Sequence, residues 1–119
     1  MARSSFSVAT TSASGTVYAA PAAVDAANGN EFLNDGRSWI EIVNGSASAV
    51  TATFVTNGTY AVGSTTYPIA DLAVTIAASG TKVCGPFDKT LFNSTTSTVE
   101  VNWSSGTSIT ARVAALGTS

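Results

Sequence analysis

The stretch "GRSWIEIVNGSASAVTATFVTNGTY", Gly36 to Tyr60, decides the fold class. Ile40 and Ile42 alternate with Trp39, Glu41 and Val43, and Val50, Ala52 and Phe54 alternate with Thr51, Thr53 and Val55. Successive side chains of an extended backbone point to opposite sides, so a period of two marks a strand with one buried face. Asn44-Gly45 and Asn57-Gly58 follow the two runs. Asn-Gly supplies the positive φ angles of a type I′ turn, so a hairpin is expected at each. The stretch holds two charged residues, Arg37 and Glu41, and neither His nor Cys. It is written to build sheet.

The same alternation recurs in Leu72–Ile76, Val99–Trp103 and Ile109–Val113, and Ser79-Gly80, Gly85-Pro86 and Ser105-Gly106 separate the runs. Short strands divided by turns at this spacing predict an antiparallel β-sandwich, jelly-roll-like, over residues 35–119. No segment after Gly36 has helical spacing. The expected core is Ile40, Ile42, Phe54, Leu72, Val74, Ile76, Val99, Val101 and Trp103. Trp39 is out of phase with Ile40 and Ile42, which puts it on the outer face of its strand.

Residues 1–34 read differently. They are rich in small residues and weakly periodic, and Pro21 interrupts a short strand expected at Val17 and Tyr18. The Ala-rich run from Ala19 to Ala27 lacks an apolar stripe, which argues against helix. The segment is expected to be an extended arm. Its spaced apolar residues, Phe6, Val8, Val17 and Tyr18, suit a chain laid across a neighbour as an added strand.

Charged residues are only 10% of the chain, against 45% hydrophobic; an ordinary soluble domain is nearer about 25% charged. Ser, Thr, Ala and Gly stand where charges normally coat a free surface. Part of that surface is therefore expected to be covered, by self-association or by docking on an assembly. Trp39, Tyr60 and Tyr67 join the four arm residues as interface candidates. A net charge of −2 and the lack of a Lys/Arg cluster give no footprint for nucleic acid. No run approaches the roughly 20 apolar residues of a membrane-spanning helix. The N-terminus has no apolar h-region of a secretory signal, so synthesis in the host cytoplasm is expected.

Catalytic chemistry has little to work with. Without His there is no Ser-His-Asp or Cys-His arrangement and no histidine zinc ligand. Cys84 is alone and reads as a small buried hydrophobe. Asp35 with Glu41, or Asp71 with Asp88, are conceivable carboxylate pairs, but the seven acids sit mostly at strand ends. "DAANGNEFLND" gathers Asp25, Asn28, Asn30, Glu31, Asn34 and Asp35, a set of oxygen donors suited to calcium. Its spacing misses the EF-hand pattern, and a polar loop is the simpler reading. Asn-x-Ser/Thr triplets at Asn44, Asn57, Asn93 and Asn102 follow from Ser/Thr abundance. No catalytic, cofactor or metal residue is assigned, and the chain is read as a non-enzyme that needs no cofactor.

The order of motifs resembles small head proteins of tailed bacteriophages, the decoration, cement or auxiliary capsid proteins. The likeness runs from Phe32 to Leu116. It rests on Asn34-Asp35-Gly36, Asn44-Gly45, Ala78-Ser79-Gly80, Gly85-Pro86-Phe87 and Phe92-Asn93. It implies a structural virion protein with a β-sandwich fold, a homotrimer on the capsid exterior that braces the major capsid protein. A neck, tail or fibre-base module of the same architecture is the first alternative. A carbohydrate-binding sandwich using Trp39 and the tyrosines is the second.

Overall fold

The computed structural model describes residues 3–12, 14–17, 20–94 and 96–116, with the backbone alone described for Thr59, Tyr60 and Pro68. In chain order the elements are β1 (Ser4–Ser5), β2 (Val8–Thr10), β3 (Ala22–Ala23), β4 (Asn30–Leu33), β5 (Ser38–Asn44) and β6 (Val50–Phe54). They continue with β7 (Thr59–Val62), β8 (Thr65–Pro68), β9 (Leu72–Ile76), β10 (Thr81–Cys84), the helical turn α1 (Lys89–Phe92), β11 (Thr98–Trp103) and β12 (Ile109–Ala115).

The antiparallel pairs are nested: β7 with β8, β6 with β9, β5 with β10, β4 with β11. This is one long hairpin, with its tip at Gly63-Ser64, rolled so that successive pairs fall in opposite sheets, as in a jelly roll. One sheet runs β1-β4-β11-β6-β9; the other runs β10-β5-β12-β2, with β3 also paired to β12. The chain is thus an all-β sandwich. β12 lies outside the nested set and pairs along the whole of β5, from Ile109↔Asn44 to Ala115↔Ser38. Gly63, with φ near +63°, supplies the left-handed residue of the two-residue hairpin turn.

Alternation translates directly into burial. Ser38, Ile40, Ile42 and Asn44 are buried along β5 while the residues between them are half-exposed, and β6 repeats the pattern with Val50, Ala52 and Phe54. Ile76, Val99, Val101 and Trp103 complete the expected core. The Trp103 Nε1–H donates to Asn30 Oδ1 at 2.8 Å, which satisfies its polar end inside the sandwich. Phe87, in the link from β10 to α1, is buried. It packs edge-on to Phe32 and Phe92, with centroids 5.7 and 5.2 Å away, and tilted against Phe54 at 4.9 Å.

Four expectations are corrected. Leu72 is not core: it faces inward opposite Phe54 but is 45% exposed, because the other sheet ends at β10 and lays nothing over the start of β9. Val74 is only half-buried for the same reason.

Residues 1–34 are not an arm apart from the sandwich. β1 pairs parallel with β4, β2 parallel with β12, and β3 antiparallel with β12, while β4 itself pairs with β11. Phe6, Val24 and Phe32 sit in the core. Long-range backbone pairing, unreadable from local periodicity, decides this. Val17 lies in no strand, and Tyr18 is outside the described residues.

Neither Asn44-Gly45 nor Asn57-Gly58 makes a hairpin. The first connects β5 to β6 across the two sheets, and the second leads from β6 into β7. Asn44 instead buries its amide. Nδ2 donates to the carbonyls of Ser48, Ile76 and Ala77 at 2.8, 3.2 and 3.2 Å, and Oδ1 accepts from the backbone N–H and hydroxyl of Ser46. Finally, one helical turn follows Gly36. Asp88 caps α1 by accepting from the Thr90 N–H at 2.7 Å, so a cap makes the turn where no apolar periodicity exists.

Candidate functional site

The outer face of the β10-β5-β12-β2 sheet collects the features that bear on function. Register puts Trp39 beside Ala114, and Val83, Glu41 and Arg112 in the next row. Arg112 Nε donates to Glu41 Oε1 at 2.7 Å, so these two charges neutralise each other. Gly85 comes opposite Trp39 as the β10 ladder ends. A Cβ there would approach Trp39 Cα to 2.9 Å and the Ser38 carbonyl to 2.8 Å. Its φ of +131° also suits only glycine. The close approach brings Pro86 to the indole.

Trp39, Pro86, Leu116, Gly36 and Arg37 line a shallow cleft of about 250 Å³. The Leu116 N–H donates to the Arg37 carbonyl at 3.1 Å, which carries the β5–β12 ladder one step past Ala115 and fixes one wall. Leu116 is 59% exposed and Val83 62% exposed. Trp39 is half-buried. A patch of tryptophan, proline, leucine and valine, with Arg112 paired to Glu41 and Arg37 at its rim, suits a contact that buries apolar area and leaves one cation for a partner's acceptor.

A larger cleft, about 390 Å³, opens at the same end of the sandwich. It is lined by Val8, Thr10, Leu33, Asn34, Asp35, Ser38, Ser97 and Ala115. Among the described residues no aromatic ring lines it and Asp35 is its one carboxylate, a group that accepts from the Arg37 N–H at 3.0 Å. The two clefts flank a ridge made by the Asn34–Trp39 segment and the end of β12.

The structure separates the other interface candidates. Phe6 is buried, and Val8 packs on the core while it lines the larger cleft. Val17 is 91% exposed. Tyr60 and Tyr67 face each other in the β7–β8 register, with Tyr67 exposed and only the backbone of Tyr60 described. Both lie on the β7–β8 hairpin, which forms a sheet separate from the one that carries Trp39.

The oxygen donors of the Asp25–Asp35 stretch are used internally. Asp25 accepts from the Ser4 hydroxyl at 2.7 Å and from Asn28 N–H and Nδ2, and these bonds hold its pKa below the ordinary value, Ser4 contributing most. Asn30 Oδ1 accepts from the Asp25 N–H and from Trp103, while its Nδ2 donates to the Ser4 carbonyl. Asn34 donates to Phe87 O and Asn93 Oδ1 and accepts from the Gly36 N–H. These asparagines pin the sandwich corners. The supposed carboxylate pairs are occupied separately: Glu41 by Arg112, Asp71 by the Thr56 N–H, Asp88 by the α1 cap. Cys84 packs against the core, and burial pushes its thiol pKa up against the weaker pull of Lys82, which disfavours the reactive thiolate.

Sequence reasoning reached Trp39 through its phase. It missed Pro86 and Leu116, whose only signal was the Gly-Pro turn and the end of the last strand. No known protein family matches the chain, and no curated protein or solved structure matches it.

Proposed function

We propose that this chain is a structural virion protein, a decoration or cement protein on the outside of a tailed-bacteriophage capsid, where homotrimers brace the lattice of the major capsid protein. The observation that carries the reading is the charge-poor apolar face around Trp39, where Pro86, Leu116 and Val83 are exposed beside it. The motif order from Phe32 to Leu116 supports the same reading. The work asked of such a protein is adhesion without catalysis. A contact of roughly 1,600 Å² per junction suffices for a specific interface, and repetition over a symmetric lattice multiplies it.

The test is co-sedimentation of the purified chain with heads assembled from the major capsid protein of the same phage. Saturable binding at lattice stoichiometry is expected, with Trp39→Ser weakening it by roughly 30-fold, the effect of losing about 2 kcal/mol at a hot spot. Binding limited to one ring per particle would move the protein to the neck, tail or fibre base. Failure to bind heads, together with glycan binding abolished by Trp39→Ala, would replace the reading with a carbohydrate-binding module.

A further inference from the structure

β9 and β10 are the last strands of their sheets on one flank of the sandwich. The ladder of β10 runs only to β5, so among the described residues its outward edge has no backbone partner. Beside it, inward-facing Leu72 is 45% exposed, and Val74, though packed against the core, is only half-buried. In the rolled hairpin, β4:β11 and β6:β9 fill one sheet and β5:β10 begins the other. The innermost pair, β7:β8, is the piece that would extend the second sheet over β9. Instead it stands as a two-stranded sheet of its own.

The base of that hairpin is clamped, and its strands do not pair with their own β10. The Ile69 N–H donates to Gly58 O at 3.3 Å and the Thr56 N–H to Asp71 Oδ1 at 3.0 Å. Asn57 and Gly58 N–H groups both donate to Leu91 O, at 2.6 and 3.1 Å, which fixes the base on α1. Beyond the clamp the hairpin is built to pair. Residues 57–70 contain no charge, and Thr, Tyr and Val favour strand. Val62 is 61% exposed and shares a face with Thr65 and Tyr67. β7 and β10 are each four residues long, so their ladders match in length. A two-stranded hairpin alone is marginal in water, and an unpaired edge is a template for another strand. Lys82, inward-facing on β10, blunts the edge toward arbitrary strands, while its stem can lie along the rim with the amine in water.

We propose that the β7–β8 hairpin of one copy of this chain pairs with the β10 edge of a second copy and covers its Leu72 and Val74. Donor and acceptor are different surfaces, so the exchange is completed when two copies swap hairpins or when several close head-to-tail into a ring. The inference rests on the self-association assigned above and gives it a mechanism.

The experiment measures mass by light scattering for the native chain and two variants. In one, residues 60–67 are replaced by a Gly-Ser pair, which leaves the clamped base intact; in the other, Leu72→Asp puts a charge on the uncovered inner face. The expected result is an oligomeric native chain, two variants that are monomeric alone, and a 1:1 complex when they are mixed, since one keeps the edge and the other the hairpin. Circular dichroism checks folding, and Val62→Asp stands in if the replaced hairpin fails to fold. A native monomer at all concentrations overturns both self-association and the exchange. An oligomer that survives loss of the hairpin, or survives Val62→Asp, overturns the exchange alone.

Discussion

The two flanks of the sandwich solve the same problem in opposite ways. On one flank, β1 and β2 are the outermost strands of the two sheets, and Phe6, in the link between them, is 8% exposed and closes the gap. Arg3 reaches over this flank: its guanidinium lies 3.5 Å from Glu100 and donates to Asn102 Oδ1 at 2.8 Å. On the other flank, β9 and β10 are joined by a short turn, no strand among the described residues extends either sheet past them, and inward-facing Leu72 is 45% exposed. An exposed flank therefore is not a general weakness of the architecture. The chain spends its first segment sealing one side and leaves the other available.

Removing the seal is the sharpest way to break this contrast. Deleting residues 1–24 takes away β1 to β3 together with Phe6 and Val24, and cooperative thermal unfolding is expected to vanish. Within the full chain, Phe6→Ala is expected to cost about 3 kcal/mol in urea denaturation, as a buried phenylalanine does, and Leu72→Ala well under about 1 kcal/mol. Equal losses would mean that the flanks are not different. The next effect is at the corner of the open flank, where Asn44 holds the carbonyls of Ile76 and Ala77 at the end of β9. Asn44→Ala leaves buried carbonyls without donors, so about 2 kcal/mol of stability should be lost. Faster amide exchange should be confined to the β9–β10 turn.

The smallest effect is on the sealed flank, where the Asp25 carboxylate accepts from Ser4 and Asn28. Its pKa is lowered on folding, Ser4 being the first cause. The contribution is therefore complete above the ordinary carboxylate pKa and disappears as pH falls through the lower folded value. Comparing the acid limbs of the native chain and Asp25→Asn checks the sign: the variant's stability should fall less over that range.

The chain from Gly36 onward was legible because its information is local. Alternation in Ser38–Asn44, Val50–Phe54 and Thr98–Trp103 reports which side of each strand is buried, whatever the partner. The same pattern put Trp39 outside and Trp103 inside. Alternation does not say which strand lies alongside or what covers a face. Leu72 keeps the inward phase and still meets water, because coverage depends on where the opposite sheet stops. Phe6, Val24 and Phe87 lie in segments too short or irregular for periodicity, and distant chain buries them. Asn30, Asn34 and Asn44 read as loop or turn residues, since asparagine favours turns locally. Only the fold shows their amides facing inward, where a buried polar group must find partners. The sequence alone thus determined an all-β chain and the faces of its longer strands. The nested pairing, the sealed and open flanks and the Trp39 cleft were decided by contacts between residues far apart in the chain, such as Phe32 with Phe87 or Leu116 with Arg37.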